Sequence, residues 1–262
     1  MIEQKAKIVF NKRVGPETFL MALASPEVVA GASPGQFVMI RIRPGIDPLL
    51  RRPFSICATK ADGLFFILYK VVGRGTAIMS QTGDGENLSV LGPLGRGFER
   101  PKRGCESLLV AGGMGVAPLI FLAQEIEPGN LIFFTGYRSL NEILPVDQVG
   151  LETFETLVST DDGTAGHQGP VTDLLENRLA GLGKSTPVVF ACGPAPMLRR
   201  VAELTLKRKI PCQVSLETTM ACGLGACQGC AVTASTEENR TYFHVCRDGP
   251  VFDVQSLDWE ML

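Results

Sequence analysis

The sequence predicts a three-part chain: a small antiparallel β-barrel of the six-stranded type, then a doubly wound parallel α/β domain, then a compact cysteine-rich module. Three observations carry that expectation. Short apolar runs separated by Gly and Pro turns fill the first hundred residues, strands alternate with helices over the next hundred, and four of the eight cysteines crowd the C-terminal segment. The expected boundaries are 1–100, 101–211 and 212–262. A chain of 262 residues exceeds the size at which one core is the default.

The first part reads as strands at Ala6–Phe10, Thr18–Ala24, Gln36–Ile42, Leu64–Val72 and Asn87–Leu91. Turn formers Pro34-Gly35, Asp62-Gly63 and Gly92-Pro93 punctuate them. The second part opens on the buried strand SLLVAGG, followed by a helix over Val116–Ile126 and the strand NLIFFTGY. A helix over Val171–Ala180, the strand PVVFACG and an amphipathic helix over Met197–Lys209 complete it.

Composition excludes several classes of function. The net charge is −2 with Lys and Arg scattered, so no basic patch points to nucleic acid. The run Ser107–Gln124 is uncharged, but Gly112, Gly113, Gly115 and Pro118 break its middle, so a strand, a glycine loop and a helix are expected rather than a membrane span. MIEQKAKIVF lacks the apolar segment of a secretory signal, and a cytoplasmic protein is expected. Thiols there stay reduced, so clustered cysteines read as metal ligands rather than disulfides.

The tail reads Cys222-Gly-Leu-Gly-Ala-Cys227-Gln-Gly-Cys230, and fifteen residues then separate Cys230 from Cys246. This C-x4-C-x2-C…C spacing is that of plant-type [2Fe-2S] proteins. Three thiolates on one glycine-rich loop wrap an inorganic core, and a fourth closes the cage from a distant segment. Gly223, Gly225 and Gly229 let backbone N–H groups approach the sulfurs. The alternative is a structural zinc site, which usually shows two C-x2–4-C knuckles where this chain has one C-x2-C. Cys57, Cys105 and Cys212 are expected in the core.

Two segments of the barrel could hold a flavin: Arg51-Arg52-Pro53-Phe54-Ser55, and Tyr69-Lys70-Val71-Val72-Gly73-Arg74-Gly75-Thr76. Arg52 supplies a cation for a pyrophosphate, Phe54 and Ser55 supply backbone for a ring edge, and the Ser55 hydroxyl is a catalytic candidate near the flavin N5. Gly75 and Thr76 would meet phosphates at a helix start. In the second domain, Gly112-Gly113-Met114-Gly115-Val116-Ala117-Pro118 joins a strand to a helix, a place for a dinucleotide pyrophosphate, although it is not the G-x-G-x-x-G fingerprint and a plain glycine turn stays open. Cys192-Gly193-Pro194 ends a later strand on the same edge, and the Cys192 thiol is a catalytic candidate beside a nicotinamide ring. Thr160-Asp161-Asp162-Gly163 is a turn or a nucleotide contact. Arg138 would mark a 2′-phosphate site, but it stands alone, and NAD is expected. Glu217 reads as a surface charge, and His167 and His244 as ordinary polar residues.

In this order RPFS, the G-x-G-T turn, GGMGVAP and CGP resemble the ferredoxin-reductase superfamily. With SLETTMACGLGACQGCAV and HVCRDGPVF, nearly the whole chain resembles the electron-transfer subunits of type B dihydroorotate dehydrogenases. The resemblance implies FAD on Arg52, Pro53, Phe54, Ser55, Tyr69, Lys70, Val71, Gly75 and Thr76. It implies NAD as co-substrate, an FMN-containing catalytic subunit as partner, and a heterotetramer of two of each chain in pyrimidine biosynthesis. A related group, the small subunits of NADH-dependent ferredoxin:NADP oxidoreductases or sulfide dehydrogenases, resembles this chain but carries an Asp where Cys222 stands. A redox-sensing binding module on the same scaffold is the expectation from another class. All three sites fit one chain for a physical reason: a nicotinamide exchanges electrons in pairs, a [2Fe-2S] cluster takes one, and a flavin handles both.

Overall fold

The computed structural model describes residues 2–127, 129–145, 154–183 and 186–262. Strands are numbered in chain order. The first sheet comprises β1 (Ile2–Gly15), β2 (Thr18–Ala24), β3 (Phe37–Arg41), β4 (Arg52–Ser55), β5 (Ala58–Lys60), β6 (Leu64–Lys70) and β7 (Asn87–Leu94), in the order β4-β3-β7-β1-β2-β6-β5, all pairs antiparallel. The short β4 and β5 add the two edge strands to the five expected. The sheet curls until β4 faces β6, where the Phe54 and Tyr69 rings meet edge-on at 5.8 Å. Its interior is filled by alternate residues of each strand, among them Ile8, Met21, Val38, Ile40, Phe65 and Ile67, all buried.

The second sheet has β8 (Ser107–Gly112), β9 (Leu131–Tyr137), β10 (Glu155–Thr160), β11 (His167–Gln168), β12 (Val188–Cys192), β13 (Cys212–Ser215) and β16 (Val251–Asp253) in the order β11-β10-β9-β8-β12-β13-β16. All neighbours are parallel except β13 and β16. The chain winds outward from β8 to β11, then returns to the other side of β8 for β12 and β13. The carboxyl ends of β8 and β12 therefore flank a topological switch point, where such sheets bind ligands. The helix Val116–Ala123 is buried on every side because it lies between this sheet and the barrel. Helices Val171–Ala180 and Ala195–Arg208 cover the opposite face, the latter starting two residues before the expected Met197.

The tail holds a two-stranded hairpin, β14 (Ala231–Thr233) with β15 (Tyr242–His244), and a short helix Val245–Asp248. The large sheet runs across the expected 211/212 boundary: β13 pairs in parallel with β12, and the tail contributes β16 to its edge. One apolar core joins Phe37, Met39 and Leu94 of the barrel to Val214 and Leu216 and to Cys230 and Cys246 of the tail.

Candidate functional site

Two cavities meet between the barrel and the large sheet. The inner one, about 330 Å³, is walled by Arg52, Pro53, Phe54 and Ser55 from β4, by Leu68, Tyr69 and Lys70 from β6, and by Thr76. From the other side come Met114 and Ala117 of the glycine loop and Leu216, Glu217, Thr218 and Met220 of the segment after β13. The outer cavity, about 440 Å³, lies over the carboxyl edge of the large sheet. Its floor is Gly112, Gly113 and Gly115 with Gly193 and Pro194, and its walls include Arg138, Glu142, Asp161 and Met197. Lys70, Met114 and Glu217 line both cavities.

The inner cavity has the chemistry of a flavin site. Its wall is mainly apolar, and polar groups are few. The Tyr69 ring stacks on Phe19 at 5.6 Å, and its hydroxyl donates to Asn11 Oδ1 at 2.9 Å, which fixes it against the wall. Burial, partly offset by that hydrogen bond, pushes the phenol up to about 12, so it stays neutral. A Cβ on Gly75 would sit 3.1 Å from Arg52 Nε, so the guanidinium lies directly over the start of the helix Arg74–Met79. The Thr76 hydroxyl accepts from Val72 N at 3.0 Å and Gly73 N at 3.3 Å, shaping that turn. Val71 stands apart from the wall: its N–H donates to Glu17 O, and Val72 lines the cavity instead. Thr218 Oγ1 is buried without a partner among the described residues, an orphan that a ligand in the cavity would satisfy.

At the outer cavity the glycines divide their work. A Cβ on Gly115 would overlap the Cys192 carbonyl and lie 2.8 Å from Gly193 N, and one on Gly112 would lie 2.7 Å from Pro194 Cδ. These residues let the loops after β8 and β12 touch. Gly113 is different: φ is +53°, and nothing lies within 4 Å of the position a Cβ would take, so it opens toward the cavity. Asp161 lines the wall, while Asp162 closes the turn by accepting from Thr164 N and Oγ1 at 3.0 and 2.6 Å. The Thr164 hydroxyl and N–H hold the Asp162 carboxyl below its usual range.

Cys192 is placed otherwise than the sequence suggested. Its side chain is 1 % exposed and lines neither cavity. Burial, then the nearby Glu217 carboxylate, raise its thiol, opposed by a hydrogen bond with Ser215. Cys57 and Cys212 are core residues at 1 % exposure each, and Cys105 is half-buried. Glu217, read as a surface charge, stands where the cavities join. The side chain is exposed, as a surface charge would be, and also borders both cavities, where partial burial raises its carboxyl above the usual value.

The four tail cysteines form two pairs. Cys230 Sγ lies 3.3 Å from Cys246 Sγ, and the Cys227 thiol bonds to Cys222. Backbone N–H groups point at the sulfurs: Gly225 to Cys246 at 3.1 Å, Leu224 and Cys227 to Cys222 at 3.3 and 3.5 Å, and Cys246 to Cys230 at 3.5 Å. Burial alone would raise the Cys222 thiol; the N–H groups of Leu224 and Cys227 outweigh it and hold it at about 6. Burial and the neighbouring Cys230 push Cys246 up to about 12. Among the described residues, no three His, Cys, Asp or Glu side chains converge on a single point as one metal ion requires. The pairs Cys222/Cys227 and Cys230/Cys246 would hold a two-iron cluster more readily than a single zinc.

Residues 217–258 match the family model for the iron-sulfur cluster binding domain of dihydroorotate dehydrogenase B. Over 258 residues the chain is 37% identical to the dihydroorotate dehydrogenase B (NAD(+)) electron transfer subunit of Desulforamulus reducens, covering 97% of this chain and 98% of that one. This chain belongs to the family of dihydroorotate dehydrogenase B electron transfer subunits. The subunit of Caldanaerobacter subterraneus subsp. tengcongensis is likewise 37% identical, over 95% of this chain and 96% of its own. Among solved structures, that of the NADH-dependent reduced ferredoxin-NADP oxidoreductase superposes with a TM-score of 0.82 and 32% identity, covering 97% of this chain and 90% of that one. A ferredoxin NADP+ reductase from Neisseria gonorrhoeae with bound FAD and NADP, at 17% identity, shares the fold with a TM-score of 0.63 over 78% of this chain and 91% of its own.

Proposed function

We propose that the chain is the electron-transfer subunit of an NAD-dependent dihydroorotate dehydrogenase, joining a catalytic partner to NAD+. The observation that carries this reading is the continuous line of sites. The thiolate pairs lie against the barrel, with Gly223 packed on Met39 and Leu94; the inner cavity follows, and the outer cavity adjoins it through Lys70, Met114 and Glu217.

When bound, the [2Fe-2S] cluster relays single electrons, and the FAD converts between single electrons and the hydride exchanged with NAD. The protein's own residues do the rest. Cys222, Cys227, Cys230 and Cys246 would hold the irons, and the N–H groups of Leu224, Gly225 and Cys227 stabilise negative charge on sulfur. Arg52 would neutralise the FAD pyrophosphate, and Tyr69 and Phe54 exclude water from the ring cavity. The Ser55 hydroxyl is the group we assign near N5. Gly113 leaves room for the dinucleotide, and NAD is the co-substrate we assign: Asp161 on the outer wall offers an acceptor for a ribose hydroxyl, and its carboxylate beside Arg138 opposes a second phosphate there. Met114 and Glu217, not the Cys192 thiol, face the place where the two ligands would meet.

The partner is an FMN-containing catalytic subunit, in a heterotetramer of two of each chain. The cluster loop suits that contact: Cys227 is exposed and Leu224 is 44% exposed beside it. Among the described residues no helix is long and apolar enough to cross a membrane. The test is a visible spectrum of anaerobically purified protein. Flavin and cluster bands that bleach with NADH, and bleach with dihydroorotate only when the partner is present, are expected. A colourless zinc protein would refute the cluster assignment, and a flavin indifferent to NADH would leave a redox-sensing module.

A further inference from the structure

The chain carries a net charge of −2, yet one face of the barrel is basic. On β1, Ala6 and Ile8 point into the barrel, so Lys5 and Lys7 point out. On β3, Ile40 and Ile42 do the same for Arg41, and on β7, Leu88 and Val90 do so for Ser89. Register joins the three strands: Lys5 is opposite Ser89, and Ser89 is opposite Arg41, so their side chains form one row across the outer face. The next row is Glu3, Leu91 and Met39, about 7 Å along the strands. Met39 is the residue on which Gly223 of the cysteine loop packs. The basic row therefore borders the loop that presents the exposed Cys227. Acids close by are already taken: Glu3 bonds to Arg51, and Asp47 to Arg43 and Arg74. Among the described residues Lys5, Lys7 and Arg41 have no ion-pair partner. Arg51 ties an apolar loop to the same row. Its guanidinium donates to the Ser89 carbonyl at 2.9 Å, the Ser89 hydroxyl at 3.0 Å and the Met39 carbonyl at 3.3 Å. The residues just before it leave Ile46, Leu49 and Leu50 exposed at 84, 60 and 48 %.

We propose that the row Lys5–Ser89–Arg41 and the apolar loop 46–50 form a docking surface for an acidic, partly apolar face of the FMN-containing catalytic subunit, guiding that subunit onto the cysteine loop. The proposal rests on the functional reading above. Charge decides the occupant. A second copy of this chain would set one basic row against another, and like charges facing each other oppose association. A polyanion would pair with the cations but gain nothing from three exposed aliphatic side chains, whereas a protein face uses both. The two halves of the surface act at different stages. Unpaired cations beside the loop attract an acidic partner from a distance and raise the rate of encounter. The aliphatic side chains become buried only on contact, so they lengthen the life of the complex. Single electrons reach the cysteines only while the partner sits against their loop, and the basic row lies one strand row away from it.

The test uses the full chain loaded with FAD and cluster, the catalytic subunit from the same genome, and biolayer interferometry to follow binding. The wild-type association rate falls at least about tenfold as NaCl rises from roughly 50 to 500 mM. Lys5→Glu/Arg41→Glu associates at least about tenfold more slowly than wild type at the lower salt and loses most of the salt dependence. Leu49→Ser associates at the wild-type rate and dissociates faster. Lys102→Glu/Lys207→Glu makes the same change of net charge at two exposed lysines away from the row, and keeps both wild-type rates. Reduction of a dye by NADH needs this chain alone and keeps its wild-type rate in every variant, which shows that each is folded. Should the double reversal lose dye reduction, Lys5→Gln/Arg41→Gln makes the same comparison with a smaller loss. A row variant that reduces dye and associates like wild type overturns the proposal. So does a control pair that slows association as much, since net charge alone would then be the cause. Wild-type binding to anionic lipid vesicles that the row variant loses also overturns it, because the face would then meet a membrane. A wild-type chain that reduces dye but binds the catalytic subunit at neither salt concentration refutes the parent reading instead.

Discussion

Gly115→Ala tests whether the outer cavity is built by contact between two loops. The added methyl has nowhere to go: it overlaps the Cys192 carbonyl and approaches Gly193 N to 2.8 Å, and both are backbone. A flexible side chain could turn away, but a strand end cannot. Overpacking of this kind costs about 1–3 kcal/mol, and the backbone obstacle puts Gly115→Ala at the upper end. At roughly 2–4 °C per kcal/mol for a domain of this size, the melting temperature falls by about 6–12 °C. Separating the loops also deforms the floor on which the dinucleotide would lie, so NADH affinity drops at least about tenfold, or ~1.4 kcal/mol. Gly113→Ala is the control. Its Cβ meets nothing within 4 Å, so the penalty is the left-handed backbone at φ +53°, roughly 1–2 kcal/mol. That variant melts within a few degrees of wild type yet binds NADH more weakly, because its methyl points into the cavity. Differential scanning fluorimetry and NADH titration by flavin quenching read both. A Gly115→Ala protein with wild-type melting and affinity would refute the loop-contact argument.

Three further outcomes are expected. Ser55→Ala keeps its FAD but slows flavin reduction by NADH in stopped flow, and an unchanged rate removes Ser55 from the reaction. Tyr69→Phe loses the 2.9 Å bond to Asn11 and about 1 kcal/mol of stability while retaining FAD, since Asn11 Nδ2 still holds the Met79 and Thr82 carbonyls; loss of flavin would mean that the hydroxyl serves the ligand. In chain stripped of its cluster, the Cys222 thiol is depressed to about 6, so its thiolate is present above that pH and lost below it, whereas Cys246, pushed up to about 12, stays protonated. Iodoacetamide at neutral pH therefore labels Cys222 well before Cys246, with a rate that falls on acidification through about pH 6; equal labelling of the two would count against the N–H cradle.

Local signals explain why so much of the architecture was legible. Strand alternation and turn residues mark the barrel, and the helix Val171–Ala180 runs over the residues its periodicity indicates. The cysteine spacing is readable because ligand geometry constrains sequence distance directly. What was not legible depends on tertiary contact. Cys192 ends a strand at the ligand edge, and nothing local reveals that its side chain turns into the core while its carbonyl faces Gly115. Glu217 carries no motif; only the folding of the tail against the barrel puts it between two cavities. Thr218 and Met220 were missed for the same reason. Their one sequence signal was position, in the short segment between the last parallel strand and the first cluster ligand.

That segment also explains why the three parts do not behave as separable modules. β13 ends at Ser215 in the large sheet, paired with β12. Leu216, Glu217, Thr218 and Met220 then line the inner cavity, and Cys222 follows two residues later with its sulfur held by the N–H groups of Leu224 and Cys227. One extended stretch of backbone thus forms an inner strand of the large sheet, a wall of the inner cavity and the position of Cys222, assigned above as a cluster ligand. The return strand β16 closes the loop by pairing with β13, and the Cys230–Cys246 pair shares a core with Phe37 and Met39 of the barrel. Electron transfer requires the centres to stay close, and a linker between independent domains would let them drift. Here covalent continuity over a few residues and a single apolar core tie the four cysteines to the inner cavity, so moving the cysteine loop would require opening that cavity.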